Sequence, residues 1–441
     1  MKTKHEQTKA AGRRRKIYRN VLKSVLVAGV AAVLVLGYKQ IYDKVPARIK
    51  LKAGVDQILD LKVPVEGTIV RVSDGQDAIE VSGQEDSNIP GGSIYIDLSS
   101  AVTMRANVID TYQMDLKLFG FIPFKQVNIE VIQDMMLTPV GTPIGIYVKT
   151  EGVLVIGIGE FDGPDGKKQS PARYLLQTGD YILKVDGEEV SGKSEFIQAV
   201  EESKGERLVL TVRRGSEEFE LGIQPRQNQS GEYKIGIWVR DNAQGVGTLT
   251  FVDDWGNFGA LGHGISDVDT STLLTLKSGT LYETEIIAIR KGSDGDPGEM
   301  TGLIEYADKN ILGEIQENTA QGIYGVANEK LKESIGGQAL PIALKQEIHT
   351  GPAQILCSVE GEPKYYDVEI REIYLEQENV NRGILLSVTD PELLAYTGGI
   401  IQGMSGAPII QDGKLIGAVT HVLVQDSTSG YGIFIENMLT H

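Results

Sequence analysis

Short runs of Val, Ile and Leu, each cut off within a few residues by glycine, recur along most of this chain and restrict what it can fold into. Segments such as Leu61-Lys62-Val63-Pro64-Val65 and Val127-Asn128-Ile129-Glu130-Val131 alternate apolar and polar residues, the period of a half-buried strand. The 52 glycines supply the turns that closely spaced strands need. A mainly β protein is expected, and 441 residues exceed one ordinary core, so several domains are expected as well.

One segment breaks the pattern. Residues 24–38 are almost wholly apolar, lie between Lys23 and Lys39, and are extended by Val21, Leu22 and Ile41 toward the roughly 20 residues of a membrane span. No small-x-small cleavage site follows at once, so a retained transmembrane anchor is expected rather than the core of a signal peptide. The residues ahead of it carry Lys2, Lys4, Lys9, Arg13, Arg14, Arg15, Lys16, Arg19 and Lys23 against the single acid Glu6, which places the N-terminus in the cytoplasm and the rest across the membrane. The whole chain nevertheless carries a net charge of −17, so everything after the anchor is strongly acidic, which argues against a nucleic-acid partner. The lone cysteine, Cys357, permits neither an intrachain disulfide nor a CxxC metal site and reads as a small buried strand residue.

Five segments are expected: a basic tail (1–20), the anchor (21–41), a small β module (47–136), a second module (139–226) and a C-terminal domain (232–441). Nothing in the β module resembles a catalytic constellation, so it reads as a spacer or interaction domain. In the second module Thr178-Gly179-Asp180-Tyr181-Ile182-Leu183-Lys184-Val185-Asp186-Gly187 resembles the strand and hairpin of a PDZ domain, with a helix from Ser194 to Ser203 behind it. PDZ domains capture a peptide by strand addition, with a Φ-G-Φ loop facing its carboxylate, and Ile144-Gly145-Ile146 is the expected loop.

The chemistry is expected near the C-terminus, where Gly398-Gly399-Ile400-Ile401-Gln402-Gly403-Met404-Ser405-Gly406-Ala407-Pro408 sets a serine in a glycine-flanked turn between apolar runs. Such a turn exposes a hydroxyl and aims backbone N–H groups, here of Gly403 and Ser405, at the space before it, as two-barrel trypsin-like proteases do. A serine nucleophile needs a base. Of five histidines, His5 and His441 lie in the tail and at the end, His349 reads as an exposed strand-end residue, and His421 is better placed to line a cleft. His263, in Gly262-His263-Gly264 after an apolar run, is the expected base. The orienting acid is either Asp390, which equally suits a helix N-cap in Asp390-Pro391-Glu392, or one of Asp267 and Asp269.

Gly259-Ala260-Leu261-Gly262-His263, Thr389-Asp390-Pro391, the Ser405 turn and Gly430-Tyr431-Gly432-Ile433-Phe434-Ile435-Glu436 together resemble the SpoIVB peptidases of endospore-forming Firmicutes, as does the order of anchor, β segment, PDZ domain and peptidase. The resemblance implies Ser405 as nucleophile, His263 as base and Asp390 as acid, with no metal or organic cofactor. It further implies an enzyme made in the forespore that acts between the two forespore membranes. There such enzymes cleave a membrane regulator of an intramembrane metalloprotease, so that the late mother-cell sigma factor is activated, and they cleave themselves. The chain departs from that family at Ala407, where a second serine is usual, and Asp390 stands only 15 positions before Ser405. Two other readings are an inactive PDZ scaffold and a quality-control protease of the HtrA type, although the latter places its protease ahead of its PDZ domain.

Overall fold

The computed structural model describes residues 2–71, 79–82, 88–89, 93–375 and 379–439, and the chain divides into two compact units, Met1–Asp134 and Met135–His441. His441 lies outside the described residues.

The first unit opens with the helix Lys2–Lys44. Its stretch Tyr18–Lys44 is long and apolar enough to cross a membrane, with a mean hydropathy of 2.2, and none of that window is buried by protein. Tyr38 and Tyr42, one turn apart, hold the ring of Phe124 at 5.4 and 5.7 Å. Behind the helix a six-stranded sheet runs in the order Arg48–Lys52, Ile122–Ile132, Thr111–Leu118, Val65–Arg71, Ser93–Asp97, Asn88–Ile89. Alternation in Thr111–Leu118 buries Tyr112, Met114, Leu116 and Leu118 while their neighbours stay partly or fully exposed, which is the period read from the sequence.

In the second unit twelve strand segments make two barrels. The C-terminal one is closed by Gly351–Cys357, Lys364–Ile373, Ile384–Val388, Asp426–Phe434, Lys414–Leu423 and Pro408–Gln411, around Ile355, Tyr366, Leu386, Ile409 and Phe434. The other closes through Pro143–Ile158, Leu276–Arg290, Ile311–Thr319, Gly322–Ala327, Asn257–Ala260 and Ile237–Val252, the last pairing back with the first. Its core holds Ile144, Val148, Leu249, Phe258, Leu281 and Ile323.

Two strands of this barrel are 16 residues long, and each serves two modules. Residues 143–149 pair with 242–248 inside the barrel; after a break in register at Lys149/Leu154, residues 154–158 pair with 237–240 in the PDZ module. Gly152, at φ +71, makes the turn of that break, and a Cβ there would stand 2.4 Å from the carbonyl oxygen of Ile182. The strands Tyr181–Val185, Leu208–Arg214 and Glu217–Ile223 and the helix Lys193–Glu202 pack around Val153, Val155, Ile182, Phe196 and Leu210. The PDZ module is therefore an insertion into the first barrel, and the expected spans 139–226 and 232–441 interleave, because a strand needs both neighbours to complete a closed sheet.

Candidate active site

Ser405 stands in a turn that the second barrel supplies and the first barrel clamps. Gly403 and Gly406 have φ of +101 and +100, and a Cβ on Gly406 would stand 2.0 Å from the carbonyl oxygen of Thr248, so no larger residue fits there. Thr248 donates its N–H to the Ser405 carbonyl at 2.9 Å and its hydroxyl to the Gly403 carbonyl at 2.7 Å; Thr250 Oγ1 donates to the Gly406 carbonyl at 2.8 Å. The N–H of Met404 is taken by Ile401 O at 3.1 Å and that of Gly406 by Val419 O at 2.7 Å. Among the described residues the N–H groups of Gly403 and Ser405 have no acceptor. Met404 is fully buried, as is Ala407, whose methyl lies in the core of the second barrel.

His263 follows the strand Asn257–Ala260 through Leu261 and Gly262, both with positive φ (+70 and +69). A leucine in the left-handed region is costly, and here Leu261 is 4% exposed, with its N–H held by Thr248 O at 3.2 Å. Ser405 and His263 line one cleft of about 310 Å³ with Ile146, Gln244, Val246 and Gln402. The Nδ1–H of His263 donates to the Gly264 carbonyl at 3.0 Å, and since a carbonyl only accepts, Nε2 keeps the free lone pair. Burial holds the His263 pKa below the usual histidine value, partly offset by that hydrogen bond. The ring of His421 lies tilted against it, with centroids 5.1 Å apart; desolvation, His263 and Arg382 together bring His421 down to about 4. Both imidazoles are thus neutral at neutral pH. In this resting arrangement Ser405 Oγ donates to the Thr420 carbonyl at 2.7 Å rather than to His263.

The expected acid does not join them. Asp390 caps the helix Pro391–Thr397, its carboxylate accepting from the N–H groups of Glu392 at 2.9 Å, Leu393 at 3.0 Å and Asp367 at 3.4 Å. Burial raises its pKa, but these hydrogen bonds and Lys364 outweigh that and hold it below the usual aspartate value. Asp-Pro-Glu at a helix start satisfies orphan N–H groups, and that local demand takes the side chain. The two alternatives are also engaged elsewhere. Asp267, 2% exposed, and Asp269 both pair with Arg240, and Asp267 also accepts from the N–H groups of Asp269 and Thr270. His349 is paired with Asp412 at 2.8 Å on the surface, as its exposed strand-end reading implied. The Cys357 thiol, 1% exposed, is pushed up to about 12 by burial. Among the described residues no three His, Cys, Asp or Glu side chains are placed to share a metal ion.

The expected PDZ loop is corrected too. Ile144-Gly145-Ile146 lies near the start of the strand Pro143–Ile158 and has strand partners on both edges, so no edge is open there to a peptide. A second Φ-G-Φ triplet, Ile235-Gly236-Ile237, stands at a more open edge: Gly236 has φ +79 and immediately precedes the strand Ile237–Val252. Its first residues pair with 155–158 on one side only, and among the described residues no strand covers their other edge. There a groove of about 600 Å³ runs beside the helix Lys193–Glu202, lined by Phe196, Ile197, Val200 and Trp238. The sequence does not separate the two triplets, since both are apolar-Gly-apolar and each stands at or just before the start of a 16-residue strand; only their pairing partners tell them apart.

Residues 231–439 match the SpoIVB peptidase S55 family, and residues 164–214 match a PDZ domain. The C-terminal domain is therefore similar to the SpoIVB peptidases. The chain thus carries, within one sequence, a segment that matches a serine peptidase family, a segment that matches a PDZ domain and an N-terminal apolar helix. Other similarities are partial. A Clostridium perfringens protein named as a zinc metalloprotease is 33% identical over 69 residues, 15% of this chain and 21% of that one. The chloroplast membrane metalloprotease ARASP of Arabidopsis thaliana is 33% identical over 87 residues, 18% of this chain and 20% of that one. The chain spans about a fifth of the length of these curated relatives. The solved PDZ domain of an SdrC-like protein from Listeria monocytogenes is 24% identical and covers 20% of this chain and 87% of that one, with a TM-score of 0.18.

Proposed function

We propose that this chain is a SpoIVB-type serine peptidase, held at a membrane by its N-terminal helix, that cleaves a membrane regulator of an intramembrane metalloprotease, and also itself, by acyl-enzyme chemistry. Ser405 Oγ turns from Thr420 O, passes its proton to His263 Nε2 and bonds the scissile carbonyl carbon. The oxyanion so formed is received by the N–H groups of Gly403 and Ser405, the C–N bond breaks as His263 returns the proton to the amine, and water then releases the acyl group by the same path. The single observation behind this reading is a nucleophile and a neutral base on one cleft, beside two N–H groups without acceptors among the described residues. The Gly264 carbonyl takes the orienting role given elsewhere to a carboxylate. A substrate or effector peptide adds as a strand at residues 237–239, its carboxylate facing the Ile235-Gly236-Ile237 turn. The basic N-terminal tail stays in the cytoplasm and the peptidase acts across the membrane, between the forespore membranes, where cleavage leads to late mother-cell sigma factor activation.

The test is the full chain reconstituted with the candidate regulator. The wild-type protein cuts both regulator and itself, whereas Ser405→Ala cuts neither; continued cleavage by Ser405→Ala sinks the proposal. A catalytically silent PDZ scaffold is the second reading, favoured by the Ser405 hydroxyl resting on Thr420 O and by the lack, among the described residues, of a carboxylate hydrogen-bonded to His263. Labelling by a fluorophosphonate separates the two, because a scaffold leaves Ser405 unmodified.

A further inference from the structure

At the end of the β module that meets the anchor helix, the hairpin joining Thr111–Leu118 to Ile122–Ile132 carries Phe119, Gly120 and Phe121 at its tip. Phe119 is 55% exposed, Phe121 73% and Ile122 41%. Phe119 also has φ +52, a conformation that Gly or Asn adopts at far less strain. Bulky apolar residues kept exposed, one of them in a strained backbone, do not serve the stability of the module itself.

Contacts along the outgoing strand fix which way this tip points. Asn128 N donates to Ala47 O, Lys125 donates to Val45 O, and Phe124 lies between the rings of Tyr42 and Tyr38. Each step back toward the tip is a step back along the helix, and Arg48–Lys52, which leaves the helix, runs parallel to this same strand. At about 3.3 Å per strand residue, the three residues from Phe124 to Phe121 cover about 10 Å, which equals about seven helical residues at 1.5 Å each. Counted back from Tyr38, that brings Phe121 level with residue 31 or so, inside the apolar stretch Tyr18–Lys44.

We propose that this hairpin tip enters the same lipid leaflet from which the anchor helix emerges, with Phe119, Phe121 and Ile122 among the acyl chains. Lys39, Lys44 and Lys117 then lie on the headgroup side of the tip, the arrangement of interfacial cations around an apolar insertion. The carboxylate behind the turn, Glu66, accepts the Tyr95 hydroxyl at 2.7 Å. The β module is thereby held at a fixed orientation to the bilayer by two points rather than hung from one helix. The proposal rests on the reading of the helix as an anchor.

The test places one fluorescent NBD label at a time on the full chain in phosphatidylcholine and phosphatidylglycerol vesicles whose acyl chains carry doxyl quenchers. Phe121→Cys reports the tip, Val30→Cys the anchor, and Thr111→Cys the opposite end of the hairpin; the native Cys357 is 1% exposed and stays unlabelled. Emission from Phe121→Cys is expected to shift to the blue and to be quenched nearly as strongly as that from Val30→Cys, while Thr111→Cys remains water-like and unquenched. If Val30→Cys is quenched and Phe121→Cys is not, the tip proposal falls and the anchor stands; a blue shift at Phe121→Cys without quenching assigns the tip to a protein neighbour and also overturns it. If Val30→Cys is itself unquenched, the anchor reading fails first and the tip proposal with it.

Discussion

The two barrels of the second unit contain six strands each and differ in how the chain builds them. The second runs without interruption from Gly351 to Phe434, and every strand pairs with partners inside that segment. The first begins at Pro143 and closes only at Ala327, with the whole PDZ module between its first strand and the strand that returns beside it. Ser405 sits on the contiguous barrel, in a turn held by several backbone hydrogen bonds; His263 sits on the interrupted one, after a leucine at positive φ and before a loop tied to Arg240. One side of the cleft thus comes from a contiguous barrel whose turn the other barrel clamps through Thr248 and Thr250, the other side from a barrel closed only by long-range pairing.

The widest gap between the two sides is expected in catalysis. His263→Ala removes the base while leaving the Ser405 turn untouched, and kcat should fall by roughly 10⁴-fold or more with the melting temperature nearly unchanged. Retained activity would move the base to His421. Arg240→Ala strips the fully buried Asp267 of its cation, which should destabilise the first barrel by about 3 kcal/mol in a denaturant titration, and should disturb the His263 loop before the Ser405 turn. A loss confined to the second barrel would contradict the division of labour drawn here.

Asp390→Ala should cost about 1 kcal/mol, the value of a helix cap, with kcat changed by only a few fold, and Asp390→Asn should restore most of the stability because asparagine also caps. A loss of kcat near that of His263→Ala would restore Asp390 as the acid. Because the folded pKa of Asp390 is depressed, its stabilisation is complete above the ordinary aspartate pKa and fades as pH falls through the folded value. The smallest effect is the most diagnostic. With His263 neutral and its pKa lowered by burial, kcat/KM should rise with pH along a limb centred below 6.5. A carboxylate at Nδ1 would raise that pKa, so a limb centred near 7 or above would reveal an acid that approaches only when substrate binds.

Legibility followed the same contrast. Ser405, with Gly403 and Gly406, could be read because tight turns demand glycine at fixed offsets, and the PDZ hairpin and helix announced themselves by local pattern. His263 was legible from its glycine neighbours and the scarcity of histidines. What could not be read was partnership: Asp390 fits a cap and an acid equally well by spacing, and only the three-dimensional neighbours show the cap. Ile144-Gly145-Ile146 and Ile235-Gly236-Ile237 are alike as triplets, and the choice between them depends on strands more than 90 residues away from the first. Arg240 and His421 carry no motif at all; one matters through buried charge, the other through a ring contact.

The strands shared by the PDZ module and the first barrel have a consequence for self-cleavage. A cut anywhere in 159–236 would leave two polypeptides interlocked, since residues 143–158 on one fragment remain laddered to 237–252 on the other. Such an enzyme would migrate as two bands on a denaturing gel and as one particle on a native column. Maturation of this kind would alter how the peptide groove is tethered without ever dismantling the catalytic cleft.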